Sequence, residues 1–391
     1  MKVAIIGTVG VPANYGGFET LVENIVRQNR SDELEYSVYC SSKNYNERHW
    51  VYRGAKVVYV PLKANGIQSI FYDVFSVLHA LRQADVLLVL GVSGCCILPF
   101  VRLLSRKRII VNIDGLEHRR DKWNKWVRKF LKFSEALAVK YADVIVSDNK
   151  GIQDYVLGEY GKKSALIEYG GDHVICDTSG MEEEILGKYQ LSENGYSLAL
   201  CRIEPENNVE MILRAFVASG ELLIFIGNWH NSEFGRRLKE EYETISNIKL
   251  LESIYDIKVL NVLRTYCKFY LHGHSAGGTN PSLVEAMYFG RPVLAFNVVY
   301  NRETTEGKAG YFGNEQELIA LMNEDGEEVL TYTGGVGWQE KETKAESQVH
   351  SALKMTYYEA FSEARKALNS EEKAGSINED IISQGNFDMK A

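Results

Sequence analysis

Proline is scarce in this chain, with six residues among 391, whereas apolar residues make up 45%. This composition excludes collagen, a coiled coil and wholesale disorder. An excess of positive charge is also lacking, because 44 Lys and Arg face 52 Asp and Glu, a formal net charge of −8. No nucleic-acid partner is therefore expected. The composition is that of a globular protein, and the length suits two or three domains of about 150 residues.

Paired cysteine motifs are missing too: none of the six cysteines forms a CxxC pair or has a nearby histidine at zinc spacing. We expect six buried thiols in a reducing compartment. No stretch reaches about 18 uninterrupted apolar residues, so no transmembrane helix is expected. The start MKVAIIGTVG is too short and too interrupted by glycine for a signal peptide, and it fits a first strand. The sequence thus predicts a cytoplasmic protein whose membrane contact is peripheral, at the inner face of the plasma membrane.

Short apolar runs alternate with amphipathic segments in two successive series. Strands that are apolar throughout are typical of parallel sheets covered on both faces, and strand–helix alternation predicts doubly wound sheets. The first series of predicted strands covers 3–7, 36–40, 57–60, 86–91, 109–113, 144–147 and 165–168. The second covers 197–201, 222–227, 248–252, 268–273 and 292–296. The glycine pair of EYGGDH (168–173) predicts a linker between them.

The fold class is therefore predicted as α/β, with two doubly wound Rossmann-like domains facing a cleft. We place the first domain at 1–170, the second at 171–330, and a partly disordered helical tail at 331–391. Ligands of such sheets usually bind at the carboxyl ends of the strands.

A glycine-rich loop, GTVGVPANYGGFET (7–20), follows the first strand and enters a helix. Its backbone amides suit an anion or a polyol, but its spacing is neither GxGxxG nor a P-loop. Four glycines exceed what a tight turn needs, so we predict that Gly16, Gly17 and Glu19 face a ligand. The alternatives are a plain strand-to-helix turn and, for Glu19, a carboxylate that complements the helix dipole.

A second polar loop, HGHSAGGTNPSLVEAM (272–287), also runs from a strand into a helix. We predict that the amides of Gly277, Gly278, Thr279 and Asn280 bind a diphosphate. Glu285 would accept hydrogen bonds from a ribose diol, unless it is an ordinary solvated helix carboxylate.

Three polar residues, Asp114, Glu117 and His118, follow the strand IIVNI at its carboxyl end. We predict that they are catalytic, because a histidine there can bind the donor sugar or orient or deprotonate an acceptor hydroxyl. The alternative for His118 is a structural loop histidine.

Together these motifs resemble a family of bacterial rhamnosyltransferase-like sugar transferases. Beyond Gly7 to Glu19, the agreement covers IDGLEHRRDKW (113–123), SDNKGIQDYV (147–156), CRIEPENNVEMIL (201–213), IGNW (226–229) and GGTNPSLVEAM (277–287). The matches span about residues 1–313. The resemblance implies a GT-B hexosyltransferase of family 4 that retains the anomeric configuration and uses no metal and no cofactor. It also implies that 1–170 is the acceptor-side domain and 171–330 the nucleotide-sugar donor domain.

The resemblance also implies donor contacts, with two departures. Relatives place an Arg, and five residues later a Lys, on the donor diphosphate; Arg202 matches the first, and Asn207 stands at the second. Of two family glutamates eight positions apart, Glu285 matches the second and Gly277 replaces the first. We expect the amides of residues 277–280 to supply the missing contacts.

The segment HRRDKWNKWVRKFLKF (118–133) interleaves basic and aromatic residues, which favours contact with an anionic membrane. The predicted membrane patch consists of Arg119, Arg120, Lys122, Trp123, Lys125, Trp126, Arg128 and Lys129. RLLSRKR (102–108) adds a second basic cluster in the same half. The alternative is a helix whose apolar stripe packs on its own sheet while its lysines stay in water.

The sequence thus predicts a retaining glycosyltransferase of cell-surface polysaccharide synthesis. By resemblance it transfers rhamnose from a nucleotide diphosphate donor to a lipid-linked glycan. One alternative is a nucleotide-sugar epimerase of the same architecture. Another is a non-catalytic sugar-nucleotide-binding protein, motivated by Asn207 and Gly277. A dehydrogenase is disfavoured because the dinucleotide fingerprint is missing.

Overall fold

The computed structural model of the chain describes residues 1–13, 16–29, 33–113, 115–119 and 123–323. The chain divides into two compact units. Within the described residues, the first unit consists of Met1–Asn112 and Leu137–Ile145, and the second of Ile113–Ala136 and the described part of Val146–Ser351. The predicted tail at 331–391 lies outside the described residues, as do Asp114, Arg120 and Lys122.

The first sheet has eight strands. In chain order they are β1 (Lys2–Ile6), β2 (Glu35–Ser41), β3 (Val51–Tyr52), β4 (Ala55–Val60), β5 (Val86–Leu90), β6 (Arg108–Ile113), β7 (Val144–Ser147) and β8 (Ala165–Leu166). Their order in the sheet is β3-β4-β2-β1-β5-β6-β7-β8. The edge strand β3 is antiparallel to β4, whereas β1 pairs in parallel with both β2 and β5. Every residue of β5 is buried, as expected for a central parallel strand.

Five α-helices belong to the segments between these strands. They are α1 (Gly17–Gln28), α2 (Gln68–Ala80), α3 (Leu98–Leu104), α4 (Lys125–Tyr141) and α5 (Lys150–Tyr160). Two 3₁₀ helices, Cys95–Ile97 and Glu117–Arg119, lie in the loops. The bounds of α5 follow from local chemistry: the Asn149 side chain accepts a hydrogen bond from Gly151 N, and Gly161 ends the helix at φ 62°.

The second sheet has six strands, all parallel. They are β9 (Ser197–Leu200), β10 (Leu223–Ile226), β11 (Ile248–Leu251), β12 (Tyr270–His272), β13 (Val293–Phe296) and β14 (Gly310–Phe312), in the order β11-β10-β9-β12-β13-β14. This is the Rossmann strand order. The accompanying helices are α6 (Glu182–Lys188), α7 (Val209–Ser219), α8 (Glu233–Tyr242), α9 (Ile257–Thr265), α10 (Pro281–Met287), α11 (Val299–Thr304) and α12 (Glu315–Asn323). Phe225 and Trp229 meet edge to face in its core, with ring centroids 5.4 Å apart.

The predicted fold class of two Rossmann-like α/β domains with parallel sheets is confirmed, and each predicted strand has a counterpart. The short strands β3 and β14 were not predicted. The six cysteines are free thiols, as expected, but Cys96, Cys176 and Cys201 are only half-buried. No helix within the described ranges is both long and apolar enough to cross a membrane.

One buried carboxyl group lies on α2. Asp73 is nearly inaccessible, its Oδ2 accepts a hydrogen bond from Ser93 Oγ, and Gly94 packs against its Cβ. Burial raises the pKa of Asp73 to about 7, although the hydrogen bond from Ser93 opposes this. The folded protein therefore keeps a proton on Asp73 at a pH where the unfolded chain has released it.

Replacing Asp73 with Asn is expected to stabilise the protein above pH 7. The folded pKa lies above the unfolded value of about 3.9, so stability falls as pH rises between the two values, by up to about 1.4 kcal/mol per pH unit. The Asn variant lacks this loss, and we expect a gain of up to about 4 kcal/mol at pH 8. Urea unfolding at pH 5 and pH 8 measures it, with exposed Asp85→Asn as the control. Equal pH slopes in wild type and Asp73→Asn would contradict the prediction.

Candidate functional site

Two loops of the second sheet are joined by one buried amide. Asn207, in the loop after β9, donates from Nδ2 to the Arg202 carbonyl oxygen at 2.7 Å. Its Oδ1 lies 2.7 Å from Nδ1 of His274, in the loop after β12. Since Oδ1 can only accept, we place the His274 proton on Nδ1. Ser275 also connects these two loops. Its backbone N–H and its hydroxyl both donate to the Glu206 carbonyl oxygen, at 2.9 Å and 2.7 Å.

Arg202 follows β9 directly, and its side chain is one-third exposed. Its Nη1 lies 4.0 Å from Oε1 of Glu204, and its carbonyl oxygen is held by Asn207. Both polar ends of the Asn207 side chain bond within the protein. Its effect in this structure is to fix Arg202 beside the loop after β12.

The glycines of the loop after β12 permit a close backbone contact. A Cβ on Gly115, in the loop after β6, would clash with the Gly277–Gly278 peptide. A Cβ on Gly278 would lie 2.6 Å from Oδ1 of Asp148, in the loop after β7. Gly277 also has φ 131°, which L side chains rarely adopt. These glycines therefore let the loop that carries His118 touch the predicted diphosphate loop.

Thr279 and Asn280 stabilise the same loop through their side chains. The Thr279 hydroxyl donates to the Asp148 carbonyl oxygen at 2.8 Å and accepts from Asn149 Nδ2 at 3.1 Å. Asn280 caps α10, since its Oδ1 accepts from Ser282 N at 3.1 Å and from Ser282 Oγ at 2.9 Å. Because these side chains are bonded within the protein, the predicted ligand contacts of this loop rest on its backbone.

Glu285, on α10, forms a buried network. Its Oε2 pairs with Nη2 of Arg264, which is 1% exposed, and its Oε1 lies 3.3 Å from Nε2 of His173. Burial by itself raises the pKa of Glu285, but the hydrogen bond from His173 and the positive charge of Arg264 lower it overall. The alternative of a solvated helix carboxylate is therefore wrong, and the Glu285 carboxylate is held in one position.

His118 lies in the 3₁₀ helix after β6 and is held by a buried carboxylate that the sequence analysis missed. Its Nδ1 is 3.0 Å from Oε2 of Glu135 on α4, which is 1% exposed. The hydroxyls of Tyr155 and Tyr160 donate to Glu135 Oε1, both at 2.6 Å. Burial raises the pKa of Glu135, whereas the bonds from His118 and the two tyrosines lower it overall. An ionised carboxylate only accepts hydrogen bonds, so Nδ1 of His118 carries a proton.

The predicted membrane patch divides into two groups. Lys125, Trp126 and Lys129 are exposed at the start of α4, and Lys129 lies over the Trp126 ring. In contrast, Arg128 donates to the His118 carbonyl oxygen at 2.9 Å, and the Trp123 indole donates to Glu117 Oε2 at 2.9 Å.

Arg119 lies over the Tyr155 ring, and its positive charge acts on the Tyr300 hydroxyl. Arg119, Trp123 and Arg128 thus fix the loop that carries His118. The alternative to a membrane patch was that the apolar stripe of this helix packs on its own sheet. Trp126 and Phe133 do not pack in this way, since they are 79% and 57% exposed.

In the first unit, Glu19 organises the glycine-rich loop from inside. This buried carboxylate accepts from Thr8 Oγ1 at 2.9 Å and from Val9 N at 2.6 Å, and its Oε2 occupies the space beside Gly16. Gly16 has φ 109° and precedes α1, which begins at Gly17. Glu19 therefore fixes the shape of the loop from its own helix.

The residues that sequence reasoning missed are buried polar side chains. The spacing of Glu135 indicates that it is buried. It lies four residues after Leu131 and three before Ala138, which are both buried, so the three residues share one face of α4. His173 lies in the predicted linker, where Gly171 packs against the ring of Tyr288, the residue that follows α10. Nothing in the sequence paired it with Glu285. Among the described residues, no group of three or more His, Cys, Asp or Glu is placed to hold a metal ion.

Comparison with known proteins agrees with this architecture. Residues 1–172 match the family described as "Domain of unknown function (DUF1972)", and residues 181–324 match "Glycosyl transferases group 1". These matches and the fold support a GT-B glycosyltransferase. No curated protein matches the chain in sequence.

Solved structures share the fold at low sequence identity. Sucrose-phosphate synthase from Thermosynechococcus elongatus has a TM-score of 0.73 at 13% identity, covering 92% of this chain and 99% of its own. Anabaena HepE in complex with UDP has a TM-score of 0.68 at 15% identity. The match covers 93% of this chain and 100% of HepE. A putative UDP-N-acetylglucosamine 2-epimerase from Listeria monocytogenes has a TM-score of 0.54 at 17% identity. The match covers 85% of this chain and 90% of the epimerase.

Removal of the Glu285 carboxylate is expected to destabilise the protein strongly. Glu285→Ala leaves the Arg264 guanidinium buried without its ion-pair partner, which typically costs about 3–5 kcal/mol. Because the pKa of Glu285 is lowered, its contribution is complete above the unfolded pKa of about 4.3 and is lost as pH falls. The difference from wild type should therefore shrink in acid. Chemical unfolding at pH 7 and pH 4 measures both effects.

The matched control is Glu315→Ala, which removes an exposed partner of Arg214 at 2.6 Å. Exposed pairs contribute about 0–1 kcal/mol. If Glu285→Ala cost no more than Glu315→Ala, the buried network would not support α10.

Proposed function

We propose that this protein is a metal-independent, retaining glycosyltransferase that moves rhamnose from a nucleotide diphosphate donor to a lipid-linked glycan in cell-surface polysaccharide synthesis. In this proposal residues 1–170 serve the acceptor and residues 171–330 the donor. The observation that carries it is the contact of Gly115 with the Gly277–Gly278 peptide. That contact joins the loop of a candidate acid–base histidine to the loop predicted to bind a diphosphate.

In the proposed donor site, Arg202 binds the diphosphate. A guanidinium suits phosphate oxygens because it donates parallel hydrogen bonds and keeps its charge. The backbone of residues 277–280 adds further donors, and Glu285 accepts from the ribose while Arg264 and His173 hold it. Charge that develops on the leaving diphosphate would meet donors already in place, which lowers the barrier to transfer.

His118 and Glu135 form the proposed catalytic pair. With Nδ1–H directed to Glu135, Nε2 of His118 is available to bind the donor sugar or orient or deprotonate the acceptor hydroxyl. Glu117 would support this loop through Trp123, while Asp114 lies outside the described residues. Gly16, Gly17 and Glu19 are proposed to shape the acceptor-side loop.

The proposed stereochemistry is retention by front-face attack. The sequence offers no residue that we would assign as a covalent nucleophile. In this scheme the acceptor hydroxyl forms the new glycosidic bond, the bond to the diphosphate breaks, and the departing phosphate takes the hydroxyl proton. His118 then binds the donor sugar or orients the hydroxyl and does not take the proton. Rhamnose and the glycan acceptor rest on the family resemblance.

A nucleotide-sugar epimerase is the second candidate, because the putative Listeria monocytogenes epimerase shares this fold. Incubation with nucleotide sugars in the absence of acceptor separates the two activities. Epimerised donor in that reaction would contradict transfer as the main activity. A thermal-shift screen with thymidine and uridine diphospho-sugars identifies the donor, since a bound donor stabilises the folded state.

Replacing Arg202 with Ala is expected to impair donor use and to leave folding intact. Loss of a charge-assisted hydrogen bond costs about 1.5–3 kcal/mol, or roughly ten- to hundredfold in donor affinity or rate. Initial rates against donor concentration and the melting temperature without ligand measure the two effects separately.

Arg237→Ala is the matched control, because Arg237 is an exposed arginine of α8 that pairs with Glu210 and Glu241. It should change neither readout. An unchanged rate in Arg202→Ala, or a rate loss that unfolding explains, would contradict the donor role. Donor binding without product from any acceptor would instead favour a non-catalytic binding protein.

Replacing Glu135 with Gln is expected to lower kcat about ten- to hundredfold with little change in KM for the donor. The amide presents both a donor and an acceptor, so His118 Nδ1 is no longer forced to carry the proton. Nitrogen NMR of labelled histidine should show one His118 tautomer in wild type and a mixture in the variant. Glu159→Gln is the control, since Glu159 binds the neighbouring Lys132 at the surface. A single unchanged tautomer with unchanged kcat would overturn the positioning role of Glu135.

A further inference from the structure

Helix α2 has apolar side chains on two faces. One face is buried and includes Tyr72 and Val77. The other carries Phe71, Phe75 and Leu78 and continues to the N-cap residue Ile67; in chain order from Ile67 these four side chains are 60%, 63%, 50% and 41% exposed. Their spacing of four, four and three residues places them in one stripe along the helix. Packing on the sheet therefore does not account for this second stripe.

Helix α3 extends the exposed apolar area within the first unit. Phe100, Leu103 and Leu104 are 61%, 81% and 73% exposed. Both α2 and α3 contact the 3₁₀ helix Cys95–Ile97, so the two helices lie near each other. We call these seven side chains, four from the α2 stripe and three from α3, the α2–α3 surface. They expose on the order of 700 Å² of apolar area, above the roughly 300–600 Å² of the largest patch on a typical monomer.

Basic residues outnumber acidic ones around the α2–α3 surface, although Arg102 and Arg108 both pair with Asp143. Residues 61–112 contain six Lys and Arg but only two acidic residues, in a chain of net charge −8. Of those two, Asp73 is buried and Asp85 lies 3.9 Å from Lys107. Lys63, Arg82 and Arg106 are exposed beside the ends of the two helices. An apolar surface with a basic rim is complementary to an anionic lipid bilayer.

We propose that the α2–α3 surface docks onto an anionic lipid bilayer, with its apolar side chains in the interface and its basic residues at the headgroups. The inference rests in part on the proposed function, because a lipid-linked acceptor is presented at a bilayer. It differs from the membrane patch predicted from sequence, in which Arg119, Trp123 and Arg128 are engaged within the protein. The docking itself does not require sugar transfer.

Vesicle co-sedimentation of the full chain tests the proposal. Wild type should bind vesicles of phosphatidylglycerol and phosphatidylethanolamine, bind neutral phosphatidylcholine vesicles more weakly, and lose affinity as salt rises. Phe71→Ser/Phe75→Ser should reduce the partition coefficient by about tenfold or more. Its melting temperature should stay near wild type, because both side chains are exposed.

The matched control, Val217→Ser/Tyr255→Ser, removes two exposed apolar side chains of the second unit, 43% and 69% exposed, and should bind like wild type. A second comparison, Trp126→Ser/Phe133→Ser, tests α4. If only the α4 variant lost binding, the assignment to α2 and α3 would be overturned.

Absence of vesicle binding by wild type would also overturn it. If sedimentation velocity then showed a dimer that Phe71→Ser/Phe75→Ser dissociates, the occupant would be a second copy of this chain. Donor turnover with a water-soluble acceptor is measured in parallel. If wild type fails to bind vesicles but turns over donor, the docking proposal is wrong and the proposed transfer is unaffected. If wild type binds vesicles but does not turn over donor, the proposed transfer is wrong and the docking proposal is unaffected.

Discussion

The contact of Gly115 with the Gly277–Gly278 peptide is the constraint on which the candidate site depends. No side chain fits on Gly115, because its Cβ would overlap the backbone of this peptide. On the other side of the contact, Gly277 has φ 131°, which favours glycine. The loop after β6 is thereby fixed against the loop after β12, and His118 is brought near the residues predicted to hold a donor diphosphate.

Buried polar side chains then hold this arrangement in place. Asn207 joins the loops after β9 and β12, and Asn149 reaches Thr279 and the Thr304 hydroxyl of α11. The Glu135 carboxylate contacts His118 and accepts hydrogen bonds from the hydroxyls of two tyrosines. A buried polar group is costly unless its hydrogen bonds are made, so these groups favour one loop conformation over others. Such preorganised loops suit a site that stabilises charge on a leaving group.

The first unit uses similar chemistry for a separate loop. Glu19 and Glu23 of α1 both accept hydrogen bonds from the backbone of the glycine-rich loop, at Val9 and Ala13 respectively. This loop is therefore fixed by its own helix. On α2, by contrast, the apolar side chains of Phe71 and Phe75 remain exposed, although apolar side chains at such regular spacing usually pack against a protein core. This departure from ordinary packing is the basis for proposing a partner there.

The sequence by itself determined the alternation of strands and helices and the two Rossmann-like sheets. These features follow from local periodicity, which neighbouring residues encode. The short edge strands β3 and β14 escaped prediction, because two or three residues carry too little pattern. Only the tertiary structure decided which polar groups meet, as in His118 with Glu135 and His173 with Glu285. Those partners are 17 and 112 residues apart, and their contact depends on how strands are ordered and where loops converge.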